Sequence, residues 1–84
     1  MHLEVVTPQK TAVSSEVDEV TVPGLAGDFG VLPGHTAFIT ALRPGTLTYR
    51  AKGGAASTLT IGPGYCEVDG KDKVVVLTQS ADKA

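Results

Sequence analysis

Prolines and glycines divide this sequence into short runs, and their spacing constrains the fold more than any other feature. The chain has 10 Gly and 5 Pro among its 84 residues, and the residues between them are mainly Val, Ile, Thr and Leu. β-Branched residues favour strands, whereas Gly and Pro interrupt both strands and helices. The sequence therefore predicts an all-β fold of about 8–10 short strands.

The runs have the lengths and the apolar alternation of strands. Val13, Val17 and Val20 also fit helical spacing, but the density of Val and Thr before Pro23 favours a strand. We expect a small β-sandwich or flattened barrel that spans residues 1–84 as one domain, with 80–84 as a short, loose tail. The predicted strands are His2–Val6, Thr11–Ser15, Glu16–Val22, Thr36–Leu42, Gly45–Ala51, Ser57–Gly62, Tyr65–Asp69 and Lys73–Gln79.

Charge and composition argue against several classes of function. The net charge is −2, the basic residues are scattered, and only 2 Tyr and 2 Phe are present, so we expect no binding of nucleic acid. A single cysteine, Cys66, cannot form an internal disulfide and is typical of a reducing compartment. No apolar run reaches the ~18 residues of a membrane span and the N-terminus does not resemble a signal peptide, so we expect no direct membrane insertion.

No set of residues has the spacing of a catalytic or metal site. His2 and His35 are far apart, and neither has a Cys or a second His at metal-ligand spacing. The acidic cluster Glu16, Asp18 and Glu19 is interpreted as a solvated strand face rather than as paired catalytic carboxylates. Cys66 is interpreted as a core residue. We therefore expect a protein that is not an enzyme and has no cofactor.

The nine residues GDFGVLPGH, from Gly27 to His35, surround Asp28 and Phe29 with glycines and a proline. Glycine permits positive φ and proline restricts φ, so this composition predicts a rigid loop. A rigid loop binds a partner without losing entropy on ordering, and an aromatic beside a carboxylate suits a small interface. The alternative is a turn in which Phe29, Val31 and Leu32 cover the core.

The longest distinctive motif is VPGLAGDFGVLPGHTAFITALRPGTL, Val22–Leu47. This stretch resembles the signature of the epsilon subunit of F-type ATP synthases, which is the delta subunit in mitochondria. The opening LEVVTPQKTAVSSEVDEVTVPG and the closing GPGYCEVDGKDKVVVLTQSA are also similar to that family, so the resemblance covers essentially the whole chain. It implies the N-terminal β-sandwich domain of the subunit, a non-catalytic part of the rotor.

The resemblance implies a place and partners for this domain. The family lies in the central stalk on the cytoplasmic face of the inner (cell) membrane, where it links the gamma subunit to the c-ring and couples ion-driven rotation to ATP synthesis. Asp28, Phe29 and Gly30 match the position that faces the c-ring loops. The residues that match positions facing gamma, or that lie near that side, are Thr7, His35, Thr36, Leu42 and Arg43.

Some of these residues also have a simpler interpretation. His35 either contacts gamma or caps the strand that follows it. Phe38 and Leu42 either face gamma or lie between the sheets, because alternation along one strand does not identify the buried face. Most family members continue into a C-terminal helical hairpin that inhibits ATP hydrolysis and in some bacteria binds ATP. The sequence ends at Ala84, where this hairpin would begin, so it is either truncated or a short form, and we expect neither inhibition nor ATP binding of these residues.

A biotinyl- or lipoyl-type carrier domain is the alternative function. Those domains are also small β-sandwiches, and they display a lysine at a hairpin tip, as Asp69-Gly70-Lys71-Asp72 would display Lys71. Lys71 lacks the flanking Met pair or the directly preceding Asp that the modifying ligases recognise. This departure favours an ordinary surface lysine.

Overall fold

A computed structural model describes residues 1–83, which form nine strands. The described residues contain no helix, so the all-β prediction is confirmed, and none of them belongs to a segment that would cross a membrane as a helix. In chain order the strands are β1 (His2–Val6), β2 (Thr11–Gly24), β3 (Gly27–Val31), β4 (Phe38–Leu42), β5 (Gly45–Ala51), β6 (Ala56–Ile61), β7 (Gly64–Val68), β8 (Lys73–Thr78) and β9 (Ala81–Lys83).

Strand β2 organises the fold because its two halves pair with different neighbours. The first half pairs antiparallel with β1, and the second half pairs with β3 and β5. The order on one side of β2 is β4-β7-β8-β1, with β1 and β8 parallel, and on the other side it is β5-β6-β9. Since β1 pairs with β2 as well as with β8, and β4 meets β2 at Gly24↔Leu42, these strands close into a ring. The result is a flattened barrel of sandwich form, as predicted.

Alternate residues along the strands point into one apolar core. In β8, for example, Val74, Val76 and Thr78 are buried, whereas Lys73 and Leu77 are exposed. This period of two is the geometry of a pleated strand with one covered face. The buried apolar residues are Leu3, Val5, Val13, Val17, Val20, Val22, Val31, Leu42, Leu47, Leu59, Ile61, Cys66, Val68, Val74, Val76 and Ala81.

The structure corrects the expected form of the chain end. Residues 80–84 are expected to be a loose tail, but Ala81–Lys83 forms β9 and pairs antiparallel with Leu59–Ile61 of β6. Residue 84 lies outside the described residues. A strand this short shows too few alternations to be detected from sequence, and it forms because β6 offers an open edge.

Two other differences concern whole elements, whereas the remaining predicted strand ends shift by no more than two residues. The segments Thr11–Ser15 and Glu16–Val22 form one continuous strand, since an irregularity between Val17 and Glu19 shifts the register against β5 without ending β2. The predicted loop at 27–35 is a strand over its first half, because Gly27–Val31 pairs with the end of β2. Gly27 has a φ of 140°, where a side chain would be strained, and this explains the glycine at the start of β3.

Candidate functional site

Arg43 connects the β4–β5 corner to the end of the β2–β3 hairpin. We call Pro23–Gly30 the tip. The backbone N–H of Arg43 donates to the Pro23 carbonyl oxygen at 3.0 Å. Its guanidinium donates from Nη1 to the Gly24 carbonyl oxygen at 2.5 Å and from Nη2 to Asp28 Oδ1 at 2.6 Å. The structure thus joins Asp28, expected at the c-ring, to Arg43, expected near gamma.

Three aromatic rings, those of Phe29, Phe38 and His35, pack in a row that begins at the tip. Phe29 meets Phe38 edge-on, with ring centroids 5.2 Å apart, and Phe38 meets His35 at 4.8 Å. Phe29 and Phe38 are both partly buried and pack against the core. Nδ1 of His35 lies 2.9 Å from the carbonyl oxygen of Thr36, which orients the imidazole locally. Phe29 therefore supports the tip from within, as the core-covering alternative suggested.

The exposed residues of the tip are Leu25, Ala26, Gly27, Asp28 and Gly30. Leu25 is 68% exposed, and its backbone N–H donates to the Ala41 carbonyl oxygen at 2.9 Å. The Asp28 side chain is 61% exposed even though it pairs with Arg43. An exposed leucine beside an exposed carboxylate is an amphipathic surface, and the sequence analysis did not single out Leu25.

An open, mainly apolar groove of about 630 Å³ crosses the outer face of β1, β8, β7 and β4. Its walls include Val6, Pro8, Ala41, Tyr65 and Leu77. Tyr65 is 59% exposed and Leu77 is 51% exposed. Apolar side chains exposed together in a groove can be covered by another molecule, which removes them from water.

Strand register creates the groove. Ala41 lies opposite Tyr65, Tyr65 opposite Leu77, and Leu77 opposite Val6 on successive neighbouring strands. Directly opposed residues point to the same face of a sheet, so these four form one row outside the core. Tyr65 and Leu77 could not be predicted as site residues, because the row exists only once four strands are aligned. The one signal in the sequence is the alternation along the strands, which places Tyr65 and Leu77 on the opposite face from the buried Cys66 and Val76.

The residues predicted to face gamma do not form a single cluster. Thr7 and Leu42 both line the groove, but they are buried, at 8% and 3% exposure. Thr7 caps the turn after β1, since its Oγ1 accepts hydrogen bonds from the Gln9 and Lys10 backbone N–H groups at 3.3 and 3.2 Å. His35 and Thr36 precede β4, whereas Leu42 ends it. Thr7 and Leu42 can therefore shape the groove without offering it free side chains.

The acidic cluster serves the fold. Oδ2 of Asp18 accepts a hydrogen bond from the Gly53 backbone N–H at 3.2 Å, and Glu19 pairs with Arg50 at 3.7 Å. Within residues 1–83, no three His, Cys, Asp or Glu side chains come together as a metal site. These contacts, and the exposed or half-buried positions of Glu16, Asp18 and Glu19, agree with the interpretation of the three carboxylates as a solvated strand face.

Lys71 and Cys66 have ordinary structural surroundings. Lys71 lies in the exposed β7–β8 turn, where Oδ1 of Asp69 accepts a hydrogen bond from its backbone N–H at 2.7 Å. Cys66 is a buried free cysteine in β7, as interpreted, and burial raises the pKa of its thiol to about 12. A thiol with so high a pKa is a poor nucleophile at neutral pH because almost none of it is ionised.

Curated relatives resemble the chain over its whole length. It is 49% identical over 84 residues to the ATP synthase epsilon chain of Geotalea daltonii, which is 100% of this chain and 59% of the relative. It is 49% identical over 83 residues to the ATP synthase epsilon chain of Thermodesulfovibrio yellowstonii, which is 99% of this chain and 58% of the relative. The chain thus spans less than two thirds of the length of these relatives.

Solved structures share the fold. A chain of the cryo-EM structure of Euglena gracilis mitochondrial ATP synthase (OSCP/F1/c-ring in rotational state 1) superposes with a TM-score of 0.90 at 27% identity, over 96% of this chain and 51% of that chain. A chain of the Tetrahymena thermophila mitochondrial ATP synthase central stalk/c-ring structure has a TM-score of 0.84 at 15% identity, over 99% of this chain and 66% of that chain. The second likeness concerns the fold alone.

A family model agrees with these likenesses. The model described as ATP synthase, Delta/Epsilon chain, beta-sandwich domain matches residues 1–84. This match confirms the resemblance seen in the sequence and gives no support to the carrier-domain alternative at Lys71. The chain belongs to the family of ATP synthase delta/epsilon chain β-sandwich domains.

Proposed function

We propose that this chain is the β-sandwich part of a non-catalytic central-stalk subunit of an F-type ATP synthase. It links the gamma subunit to the membrane c-ring and couples ion-driven rotation to ATP synthesis. It acts as a peripheral part of the complex on the cytoplasmic face of the inner (cell) membrane, without inserting into the bilayer. The observation that carries this proposal is the match of residues 1–84 to a family that includes ATP synthase epsilon chains.

A rotor component must transmit torque without deforming, and the strand pairing supports that role. β2 pairs with β1, β3, β4 and β5, so a force applied at the tip reaches most of the body through backbone hydrogen bonds. The ring of strands that includes β1, β8 and β7 also leaves few free edges at which the body could open. This stiffness comes from the backbone and requires no cofactor.

The tip is the part of the domain that we assign to the c-ring loops. Asp28 and Gly30 are exposed there and touch the loops directly, whereas Phe29 supports the tip through its contact with Phe38. The hairpin geometry is already formed in the isolated domain. A preformed tip loses little conformational entropy on contact, which favours binding.

The groove is the part that we assign to gamma. Its apolar row offers Tyr65 and Leu77 to a partner, while Thr7 and Leu42 shape its floor from below. His35 and Thr36 precede β4, at the opposite end from Leu42, and we assign them a separate part of the gamma contact. Covering exposed apolar side chains favours association by about 25 cal/mol for each Å² removed from water.

The test uses the full-length subunit reconstituted with gamma and the membrane rotor. In the double variant Asp28→Ala/Phe29→Ala we expect a folded protein whose association with the c-ring is weakened about tenfold, the effect of losing one good interface contact. Because Phe29 packs on Phe38, the single variant Asp28→Ala separates lost contact from lost packing. Asp82→Ala, which removes an exposed carboxylate from β9, is the matched control. Undiminished coupling in both tip variants would remove the tip from the c-ring contact.

A further inference from the structure

The guanidinium of Arg43 is occupied by the tip of its own chain. Among the described residues, its hydrogen bonds go to the Gly24 carbonyl oxygen and to Oδ1 of Asp28. The side chain is 41% exposed, so part of it is covered by these contacts. This geometry differs from that of an arginine held out toward gamma, the subunit near which the family resemblance places Arg43.

We propose that Arg43 is a positioning residue for the c-ring contact: its guanidinium holds the Gly24 carbonyl and the Asp28 carboxylate together, so that Asp28 meets the c-ring in one orientation. The inference rests on the proposed contact between the tip and the c-ring. It replaces a direct contact of Arg43 with gamma.

The two hydrogen bonds require an arginine. A guanidinium is a planar fork whose two terminal nitrogens donate in fixed directions, whereas a lysine ammonium is a point charge on a flexible stem. Here Nη1 and Nη2 reach two acceptors on opposite strands of the same hairpin, at 2.5 and 2.6 Å. Lysine keeps the charge but cannot reproduce this bridge.

Close packing at Gly24 keeps the two acceptors near each other. A Cβ on Gly24 would lie 2.5 Å from the Gly27 carbonyl oxygen and 3.1 Å from Cδ1 of Phe29. The hairpin end therefore closes directly on itself, and Gly24 lies beside the strand that carries Asp28. Arg43 bridges this closed end from the side of β4.

The carboxylate of Asp28 remains available to a partner while Arg43 holds it. Oδ1 accepts the hydrogen bond from Arg43, and the side chain is still 61% exposed. The second carboxylate oxygen can therefore accept a hydrogen bond from a donor on a c-ring loop. We therefore expect the c-ring loop to offer a hydrogen-bond donor to Asp28, whose other carboxylate oxygen is already paired with Arg43.

The contribution of Arg43 is expected in binding and local order more than in global stability. An exposed ion pair adds little to the free energy of unfolding, because water and salt screen it. An unbridged tip, however, would have to be ordered at the moment of binding, and that entropy loss weakens association. If Arg43 has only a structural role, its replacement lowers the free energy of unfolding. If it is a positioning residue, its replacement weakens rotor binding and loosens the tip while the free energy of unfolding changes little.

The experiment compares Arg43→Gln and Arg43→Lys in the full-length subunit, alone and combined with Asp28→Ala. Both single variants should weaken association with the membrane rotor about fivefold and accelerate amide hydrogen exchange at Leu25–Gly30 about tenfold, while binding to gamma stays unchanged. In the Asp28→Ala background, Arg43→Gln should cause no further loss of rotor binding, since the two residues act as one unit. The matched control is Arg50→Gln, because Arg50 forms a similarly exposed ion pair with Glu19 away from the tip.

Three results would overturn the inference: weaker binding to gamma instead of the rotor, an equal loss of rotor binding with and without Asp28, or unchanged exchange at the tip in Arg43→Gln. A different result would identify a failure of the proposed function. If Asp28→Ala binds the rotor normally while Arg43→Gln still accelerates exchange at the tip, Arg43 orders the tip but the tip does not contact the c-ring.

Discussion

Among the glycines of the described residues, Gly64 has the least room for a side chain. It begins β7 and pairs with Thr78 near the end of β8. A Cβ at this position would overlap the carbonyl oxygen of Leu77 and lie 2.8 Å from Cα of Thr78. Because these are backbone atoms of a paired strand, they cannot move away without disturbing the ladder.

We expect Gly64→Ala to destabilise the domain by about 2 kcal/mol or more, because overpacking against backbone forces β7 and β8 apart. Urea unfolding followed by circular dichroism measures the change. The control is Gly30→Ala, where the nearest atom to an added Cβ is 3.9 Å away. Equal unfolding midpoints for the two variants would show that the β7–β8 approach is looser than described.

Cys66 is expected to react slowly with thiol reagents in the folded protein. Burial raises the pKa of its thiol from the ordinary 9.0 to about 12, so the thiolate is scarce at pH near 8. Labelling by a disulfide reagent should be about a hundredfold slower in buffer than in urea. Because the folded pKa is raised, the unfolded chain ionises first, and stability should fall as the pH rises above 9.0.

The variant Cys66→Ala/Ser57→Cys provides the control for this labelling experiment. Ser57 is exposed in β6, so a cysteine there should react equally fast in buffer and in urea. Equal rates for native and unfolded Cys66 would contradict its burial.

At the scale of elements, β1 and β8 form the parallel pair of the ring, and an ion pair joins their exposed sides. Nζ of Lys73 lies 2.9 Å from Oε1 of Glu4. The hydrogen bond and charge of Lys73 lower the pKa of Glu4, and Glu4 in the same way raises the pKa of Lys73. The pair thus links the beginning of β8 to β1.

We expect Lys73→Gln to raise the pKa of Glu4 toward its ordinary value of 4.5. Since folding lowers the pKa of Glu4, the stability it contributes is present above that value and is lost as the pH falls through the folded pKa. Folding raises the pKa of Lys73, so its contribution is present below 10.5 and is lost as the pH rises through the folded pKa. An NMR titration of the Glu4 carboxyl measures the change in its pKa. Arg50→Gln is the control and should leave the pKa of Glu4 unchanged. An unchanged pKa of Glu4 in Lys73→Gln would contradict the ion pair.

Strand β9 is expected to contribute to the stability of the domain, although it is short. Ala81 is buried and pairs with Ile61, whereas Asp82 is exposed. Ala81→Lys should destabilise the fold by about 2 kcal/mol or more, because it forces a charge and a long side chain into the core edge. Asp82→Lys is the control and should be nearly neutral. Thermal unfolding measures both, and similar midpoints would mean that β9 is not part of the folded unit.

At the scale of the whole molecule, the tip and the groove are neighbouring surfaces that meet at the end of β4. Ala41 lines the groove, and its carbonyl oxygen accepts the hydrogen bond from Leu25 of the tip. Leu77 lies two strands away from β4, on β8. β4 thus contributes Ala41 to the groove and a hydrogen bond to the tip, so the two proposed contact surfaces are joined through one strand.

This arrangement predicts that the two contacts can be weakened separately. Leu77→Asp should reduce co-purification with gamma about tenfold or more, because a charge replaces an apolar contact, while Asp28→Ala should spare gamma. Thr58→Asp is the control, since Thr58 is exposed in β6 and lies outside the groove, the tip and the segment that contains His35 and Thr36. Normal binding of gamma by Leu77→Asp would show that the groove is not its site.

The sequence predicts the bounds of a strand correctly where neighbouring residues along the chain decide them. His2–Val6 and Gly45–Ala51 are strands with the predicted bounds, because alternation and the adjacent Gly and Pro residues act within a few positions. Strand β3 was not foreseen because its glycines suggest a loop, whereas pairing with β2 makes it a strand. β9 likewise depends on the open edge of β6.

The sequence alone determined the strand content, the apolar alternation that builds the core, and the family motif, since each depends on residue type and spacing along one chain. The tertiary structure decided which partly exposed residues face each other. Tyr65 and Leu77 form a row only through the register of β7 and β8, and Arg43 reaches Asp28 only because the β4–β5 corner lies beside the β2–β3 hairpin. Contacts between distant residues depend on strand pairing, and a pattern of alternation is the same for every register that buries the same face.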